Sequence, residues 1–221
     1  MVTITRISAP ATVYAEEVPN NAEPSRIALT FDDGPSAHTQ RLLEILEEVG
    51  GHATFFAVGE RLDEFADQAR AVVAQGSDLW GHGWDHASLV GMPGPDVLDQ
   101  LTRTRDRITQ VTGITPPAFR PPNGHVDQAV QAQAARAGQA VILWSLGSGD
   151  WQHKDRDQTI AAVLDQARDG AIVLCHEWVD STPDAMAQVM PELVARGFRL
   201  VTVAELLGPA ALEPGRIYEG A

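Results

Sequence analysis

Two adjacent carboxylates, Asp32 and Asp33, follow an apolar run, Ile27-Ala28-Leu29, and are followed at once by Gly34-Pro35. The run reads as a short buried strand, and Gly-Pro ends its ladder and forces a turn. Side chains alternate along a strand, so the two acids are expected to point in different directions. One can then hold a metal while the other accepts a proton. Further along, His82 and His86 stand four apart in Gly81-His82-Gly83-Trp84-Asp85-His86. On a helical turn such a pair faces one way and can share a metal, with the glycines marking a loop that leads into the turn. Adding Asp33 gives two imidazoles and a carboxylate, a donor set that leaves positions open for water and substrate. A metal there would acidify a water and polarise a carbonyl oxygen, and Asp32 is the neighbouring group to take the water's proton.

The leaving group then needs a proton donor, and His176 is the candidate. Asp150 is placed to hydrogen-bond its ring and raise its pKa, and Arg120 to keep Asp32 ionised. Pro121-Pro122-Asn123-Gly124 is a rigid turn able to aim the backbone N–H of Asn123 or Gly124 at an oxyanion. Each residue also has a plainer reading: an ordinary turn at Asp32-Asp33, structural ion pairs at Arg120 and Asp150, a half-buried histidine at His176. Trp84, Trp151 and Trp178 each adjoin one of these segments, either to stack on the apolar face of a sugar or to pack in the core. His38, His52, His125 and His153 read as surface or structural. Cys175, the single cysteine, lies in an apolar run and reads as a buried structural thiol.

These residues must be carried by an alternating framework. Strands are expected at 27–29, 53–58, 78–80, 118–120, 140–144, 171–175 and 198–201. Helices are expected from Ser36 as cap through 50, then at 61–75, 95–111, 126–137, 159–168, 183–196 and a last turn at 203–207. About seven strands alternating with helices imply parallel pairing and an α/β architecture, a distorted TIM-like (β/α) barrel. In such barrels chemistry gathers at the C-terminal ends of the strands, and all the candidate residues fall just after expected strands. The domain is expected over 26–207, with residues 1–25 a linker or extension and 208–221 an irregular tail. Residues 1–15 are too broken by polar positions and Pro10 to make a good signal peptide.

A chain of 221 residues with 44% hydrophobic content suits one domain with a real core. A net charge of −14 and a pI near 4.7 argue against nucleic acid and anionic membranes as partners. No stretch is long and apolar enough to suggest a membrane span.

Thr30-Phe31-Asp32-Asp33-Gly34-Pro35, His82 to His86, Arg120 to Gly124, Asp150-Trp151 and Leu174-Cys175-His176 occur in this order. Together they resemble the five motifs of the polysaccharide deacetylases, carbohydrate esterase family 4, which share the NodB homology domain. The resemblance implies a hydrolase that removes N- or O-acetyl groups from sugar polymers with a divalent metal, often Zn2+, with Co2+ or Ni2+ as alternatives. It implies Asp32 as base, His176 as acid, and Asp33, His82 and His86 as metal ligands. Arg120 and Asp150 would tune base and acid, the Asn123 N–H would hold the oxyanion, and Trp151 and Leu174 would line the acetyl pocket. Gly83, Asn123 and Gly147 depart from the usual Ser or Thr, Tyr and Asp of the family. The implied substrate is chitin, its oligosaccharides or peptidoglycan, with acetylated xylan or a catalytically dead sugar-binding protein as alternatives. A monomer, secreted or at the cell surface, is the expectation, with a cytoplasmic location left open.

Overall fold

The computed structural model describes residues 24–208 and 212–221. Most of the expected extension, residues 1–23, lies outside the described residues. Among the described residues there are nine strands: β1 Arg26–Gly34, β2 Thr54–Ala57, β3 Asp78–Gly81, β4 Ala118–Phe119, β5 Ala140–Ile142, β6 Leu146–Gly147, β7 Ile172–His176, β8 Arg199–Leu200 and β9 Ile217–Tyr218. Eight form one parallel sheet in the order β6-β7-β1-β2-β3-β4-β5-β9. The remaining strand, β8, joins β1 at Arg26 and Ile27, below the point where β2 begins to pair at Thr30. The helices are α1 Thr39–Val49, α2 Ala66–Gln75, α3 Gly94–Thr112, α4 Gln128–Ala137, α5 Asp150–His153, α6 Arg156–Gln166, α7 Ser181–Ala195 and α8 Val203–Leu207. The result is a distorted (β/α) barrel, as the alternation of elements implies.

Period-two alternation sorts the side chains into two layers. In β1, Ile27, Leu29 and Phe31 pack under the helices with Leu42, Leu46, Val189 and Leu193, and Phe31 meets Phe55 with ring centroids 5.2 Å apart. Ala28, Phe56, Trp80, Ile142 and Ile172 form the interior cluster. Thr30 and Asp32 are in step with Ala28, so the same alternation that builds the core delivers Asp32 to the barrel interior.

Several expectations need correction. The strand through Asp32 and Asp33 does not stop before them but runs to Gly34, because parallel β2 and β7 pair along both of its edges. Ser36 does not cap α1. His38 takes that position, and Ser36 instead accepts the His38 N–H at 3.1 Å while donating its own N–H to Thr39 Oγ1 at 2.9 Å. The helix expected over 61–75 is split, with a 3-10 turn at Gly59–Leu62 before α2. The tail read as irregular supplies β9, which pairs β5, and Gly220 then bridges Ala171 at the base of β7. That bridge spans the side of the ring where β5 and β6 diverge.

Candidate active site

The Asp pair owes its geometry to a break in β1. Its pairing with β2 shifts between Asp32 and Gly34, and Asp33 has φ 70°. Regular alternation would send Asp33 toward the helices. The bulge turns it back, so both carboxylates line one cavity of about 470 Å³ rather than pointing apart. Four non-glycine residues among those described have positive φ: Asp33, His86, Asn123 and Lys154. The first three line this cavity and the fourth sits at its rim, over the Trp178 ring. Such conformations cost about 1–3 kcal/mol each and gather where function requires them.

Asp32 is held by Arg120. The fully buried guanidinium donates from Nη1 to Asp32 Oδ1 at 2.7 Å and to Thr30 Oγ1 at 2.7 Å. Its Nε and Nη2 reach the carbonyls of Ile142 and Leu143 at 3.3 and 2.9 Å, and it lies 4.1 Å from the centroid of Phe56. Removing one partner of such a buried pair costs about 3–5 kcal/mol.

His82 and His86 are not on a helical turn. His82 follows directly on β3, and the chain then folds back through Gly83 at φ 76° and His86 at φ 59°. Positive φ at position 83 suits glycine, and a Cβ there would lie 3.2 Å from Pro122 Cγ. The loop is braced without a residue-83 side chain. Gln100 accepts the Trp84 N–H at 2.6 Å and donates to Asp85 Oδ1 at 3.0 Å, while Gly59 and Glu60 donate to the Gly83 and Trp84 carbonyls.

The donor set converges. Asp33, His82 and His86 place one ligand atom each within 4.8 Å of one another. His82 Nδ1 is 2.8 Å from the Arg120 carbonyl, which fixes a proton there and leaves Nε2 as a lone pair facing the cavity. Asp33 Oδ1 lies 3.4 Å from His82 Nε2 and 3.1 Å from His86 Nε2, yet it is buried and makes no hydrogen bond among the described residues. An orphaned carboxylate oxygen facing two imidazole nitrogens is the arrangement a divalent cation would complete, so the residues fit a metal. Burial alone would raise the Asp33 pKa, but the closeness of the two imidazoles outweighs it and holds it well below the carboxylate range.

Beside Asp32, on the neighbouring strand, stands His176, and its partner Asp150 is fully buried. Its Oδ1 accepts from His176 Nδ1 at 2.9 Å and from the Trp151 N–H at 2.9 Å; its Oδ2 accepts from the His176 N–H at 2.7 Å and from Thr182 Oγ1 at 2.9 Å. This fixes the His176 tautomer and leaves Nε2 as the free ring nitrogen. Burial pulls the His176 pKa down, but the Asp150 bond and charge, with Asp32 and Asp33 adding, carry it above the ordinary value. Burial likewise pushes Asp150 up, and its bonds to His176 and Thr182 bring it below normal.

Asn123, Trp151 and Leu174 also line the cavity, Trp151 at 48% exposure. In the Pro122–Gly124 turn the Gly124 N–H is used on the Pro121 carbonyl at 2.9 Å, so of the two amides considered there, Asn123 is the one left for a ligand. Gly147 sits on β6 opposite Leu174, with room for a Cβ. Cys175 is buried against the helix layer with its thiol pushed well up, as a structural cysteine should be.

The sequence reading missed Trp144 and His125 as cavity lining, and it missed Glu177. That glutamate is buried behind the Asp33 turn, bonded by Thr39 Oγ1 and by Ser36 Oγ at 3.4 Å. Burial raises its pKa to about 7. Its Oε1 occupies the space a Cβ on Gly34 would need, 1.2 Å away, so any side chain at position 34 would have to displace that carboxylate. A larger depression of about 570 Å³ between α1 and α2 reaches Gly51 and His52, at the N-terminal ends of the strands, where barrels seldom do chemistry.

The family model for "Polysaccharide deacetylase" matches residues 20–142, more than half of the chain. The chain belongs to the polysaccharide deacetylase family. Among curated members of that family it is 33% identical to the peptidoglycan-N-acetylmuramic acid deacetylase PdaC of Bacillus subtilis, over 81% of this chain and 38% of that protein. It is also 33% identical to the peptidoglycan-N-acetylglucosamine deacetylase PgdA of Listeria monocytogenes, over 95% of this chain and 44% of that protein. The chain thus spans about two fifths of the length of these relatives. Among solved structures, a family 4 acetyl xylan esterase from Clostridium thermocellum in complex with a cobalt ion superposes with a TM-score of 0.81 at 30% identity, covering 88% of this chain and 98% of that one.

Proposed function

We propose that the chain is a metal-dependent deacetylase of N-acetylglucosamine-containing polysaccharide, peptidoglycan or chitin and its oligosaccharides. The observation that carries this reading is the meeting of three groups in one cavity: the Asp32–Arg120 pair, the Asp33–His82–His86 donor set, and the His176–Asp150 pair. Asp33, His82 and His86 would hold the divalent ion, zinc, cobalt or nickel. When bound, that ion supplies Lewis acidity to the attacking water and to the acetyl carbonyl.

Asp32 takes one proton from the water as its oxygen adds to the carbonyl carbon, and Arg120 keeps the carboxylate in place. The Asn123 N–H steadies the negative charge that develops on the carbonyl oxygen. His176 then gives its Nε2 proton to the departing amine nitrogen as the C–N bond breaks. Acetic acid, still carrying the water's second proton, and a free amine leave, and the acid ionises to acetate in solution. Trp151 and Leu174 wall the space for the acetyl methyl. Action on a cell-wall polymer would call for a location at or beyond the cell surface.

The likeness to an acetyl xylan esterase favours a second reading, removal of O-acetyl groups from xylan by the same residues. An ester demands less of His176, because an alkoxide leaves more readily than an amide anion. Paired variants test the assignment. Asp32→Asn is expected to keep zinc and lose roughly 10²–10⁴-fold in kcat, and His82→Ala to lose zinc and activity together. A fully active Asp32→Asn would contradict the assigned base.

A further inference from the structure

Trp178 follows the acid histidine by two residues in the turn after β7, and the mechanism above gives it no task. Its indole Nε1–H donates to Asp33 Oδ2 at 2.8 Å. That is the carboxylate oxygen turned away from His82 and His86; the other, Oδ1, faces them. The bond therefore decides which oxygen is presented to a metal. The ring nevertheless remains 38% exposed. With Asp33 and His86 it forms the wall shared by the catalytic cavity and an adjoining cavity of about 450 Å³, whose other lining includes Val58, Glu60, Arg61 and Asp85. Lys154, the chain's single lysine, stands with its Nζ 5.2 Å from the ring centroid and is held at φ 49°.

We infer that Trp178 is both a positioning residue for the Asp33 carboxylate and the stacking platform for a second sugar of the polymer, bound in the adjoining cavity. An outward-facing indole offers its apolar face to a pyranose ring, and Glu60, Arg61 and Asp85 offer hydrogen-bonding groups for its hydroxyls. One side chain then joins the grip on the polymer to the geometry of the metal site. The ligand class follows from the proposed function, since a polymer acetylated at one sugar must place its neighbour beside the reacting unit.

The two roles separate by substitution. Trp178→Phe keeps a ring and removes the N–H. Zinc affinity, read by competition with a chelating dye and without substrate, is expected to fall about 10- to 100-fold. KM for a tetrasaccharide at saturating zinc is expected to stay within about twofold. Trp178→Ala removes both. At saturating zinc, KM is expected to rise about three- to tenfold for the tetrasaccharide and by a clearly smaller factor for the monosaccharide. Unchanged zinc affinity in Trp178→Phe would overturn the positioning role, and an equal KM rise on short and long substrates in Trp178→Ala would overturn the platform. If wild-type protein released no acetate, the deacetylase reading would fall. Zinc affinity and the length dependence of oligosaccharide binding would still decide both roles of Trp178.

Discussion

Replacing Asp150 by asparagine exposes the proton-donor assignment to a graded test. Asp150 accepts four hydrogen bonds, two from His176, one from Thr182 and one from the Trp151 N–H. Asparagine presents one acceptor oxygen and one NH2, so the donors facing its nitrogen lose their acceptor. Charge-assisted bonds are worth about 1.5–3 kcal/mol each, and the variant is expected to lose about 2–4 kcal/mol of stability. The kinetic consequence is more specific. His176 stands above its ordinary pKa because the Asp150 bond and charge outweigh the cost of burial. Without the charge, burial wins and the imidazolium deprotonates at lower pH. A general acid works only while protonated, so the alkaline limb of kcat/KM is expected to move down by about 1–3 pH units. In the plateau of the wild-type profile the loss is then about 10- to 1000-fold, at 1.36 kcal/mol per unit. The assay is kcat/KM for acetate release from a chitin oligosaccharide between pH 5 and 9. Stability follows the same linkage: the raised His176 pKa contributes stability that is complete below about 6.5 and is lost as pH rises through the folded-state value. An alkaline limb at the same pH in Asp150→Asn and wild type would refute the reasoning.

Two further outcomes are expected. Glu177, with its pKa raised from 4.5 to about 7, stays protonated in the fold after its unfolded counterpart has ionised, so wild-type stability falls as pH climbs through that window. Glu177→Gln is therefore expected to gain up to about 3 kcal/mol over wild type between pH 5 and pH 8, read from urea midpoints at each pH; an equal difference at both would contradict a buried neutral acid. Gly34→Ala is expected to destabilise by about 1–3 kcal/mol, because its Cβ falls on the Glu177 carboxylate, which must move away from Thr39 and Ser36, and a variant as stable as wild type would contradict the packing described.

The residues of the site were legible because parallel strands deliver chemistry to their C-terminal ends, and the Asp, His and Arg types there are few. What was not legible depended on backbone angles. Alternation predicts that Asp32 and Asp33 diverge, and only a bulge with positive φ at Asp33 brings them together. The spacing of His82 and His86 suggests a helical turn, yet two left-handed residues achieve the same convergence in a loop. Nothing in the sequence around Glu177 marks it as buried. Its burial depends on Ser36, Thr39 and the bare Cα of Gly34, which are distant in the chain. Likewise β9 is a two-residue strand that exists only because β5 offers an open edge.

The central claim is that one cavity combines a metal with Asp32 and His176 to release acetate from a sugar polymer. The most direct test is acetate release from chitin oligosaccharides, peptidoglycan and acetylated xylan, each after chelation and again after adding back zinc, cobalt or nickel. The account predicts release that vanishes with the chelator, returns with metal, and is greatest on an N-acetylated polymer. Release untouched by a chelator shown to strip the metal, or sugar binding with no release under any metal, would contradict it.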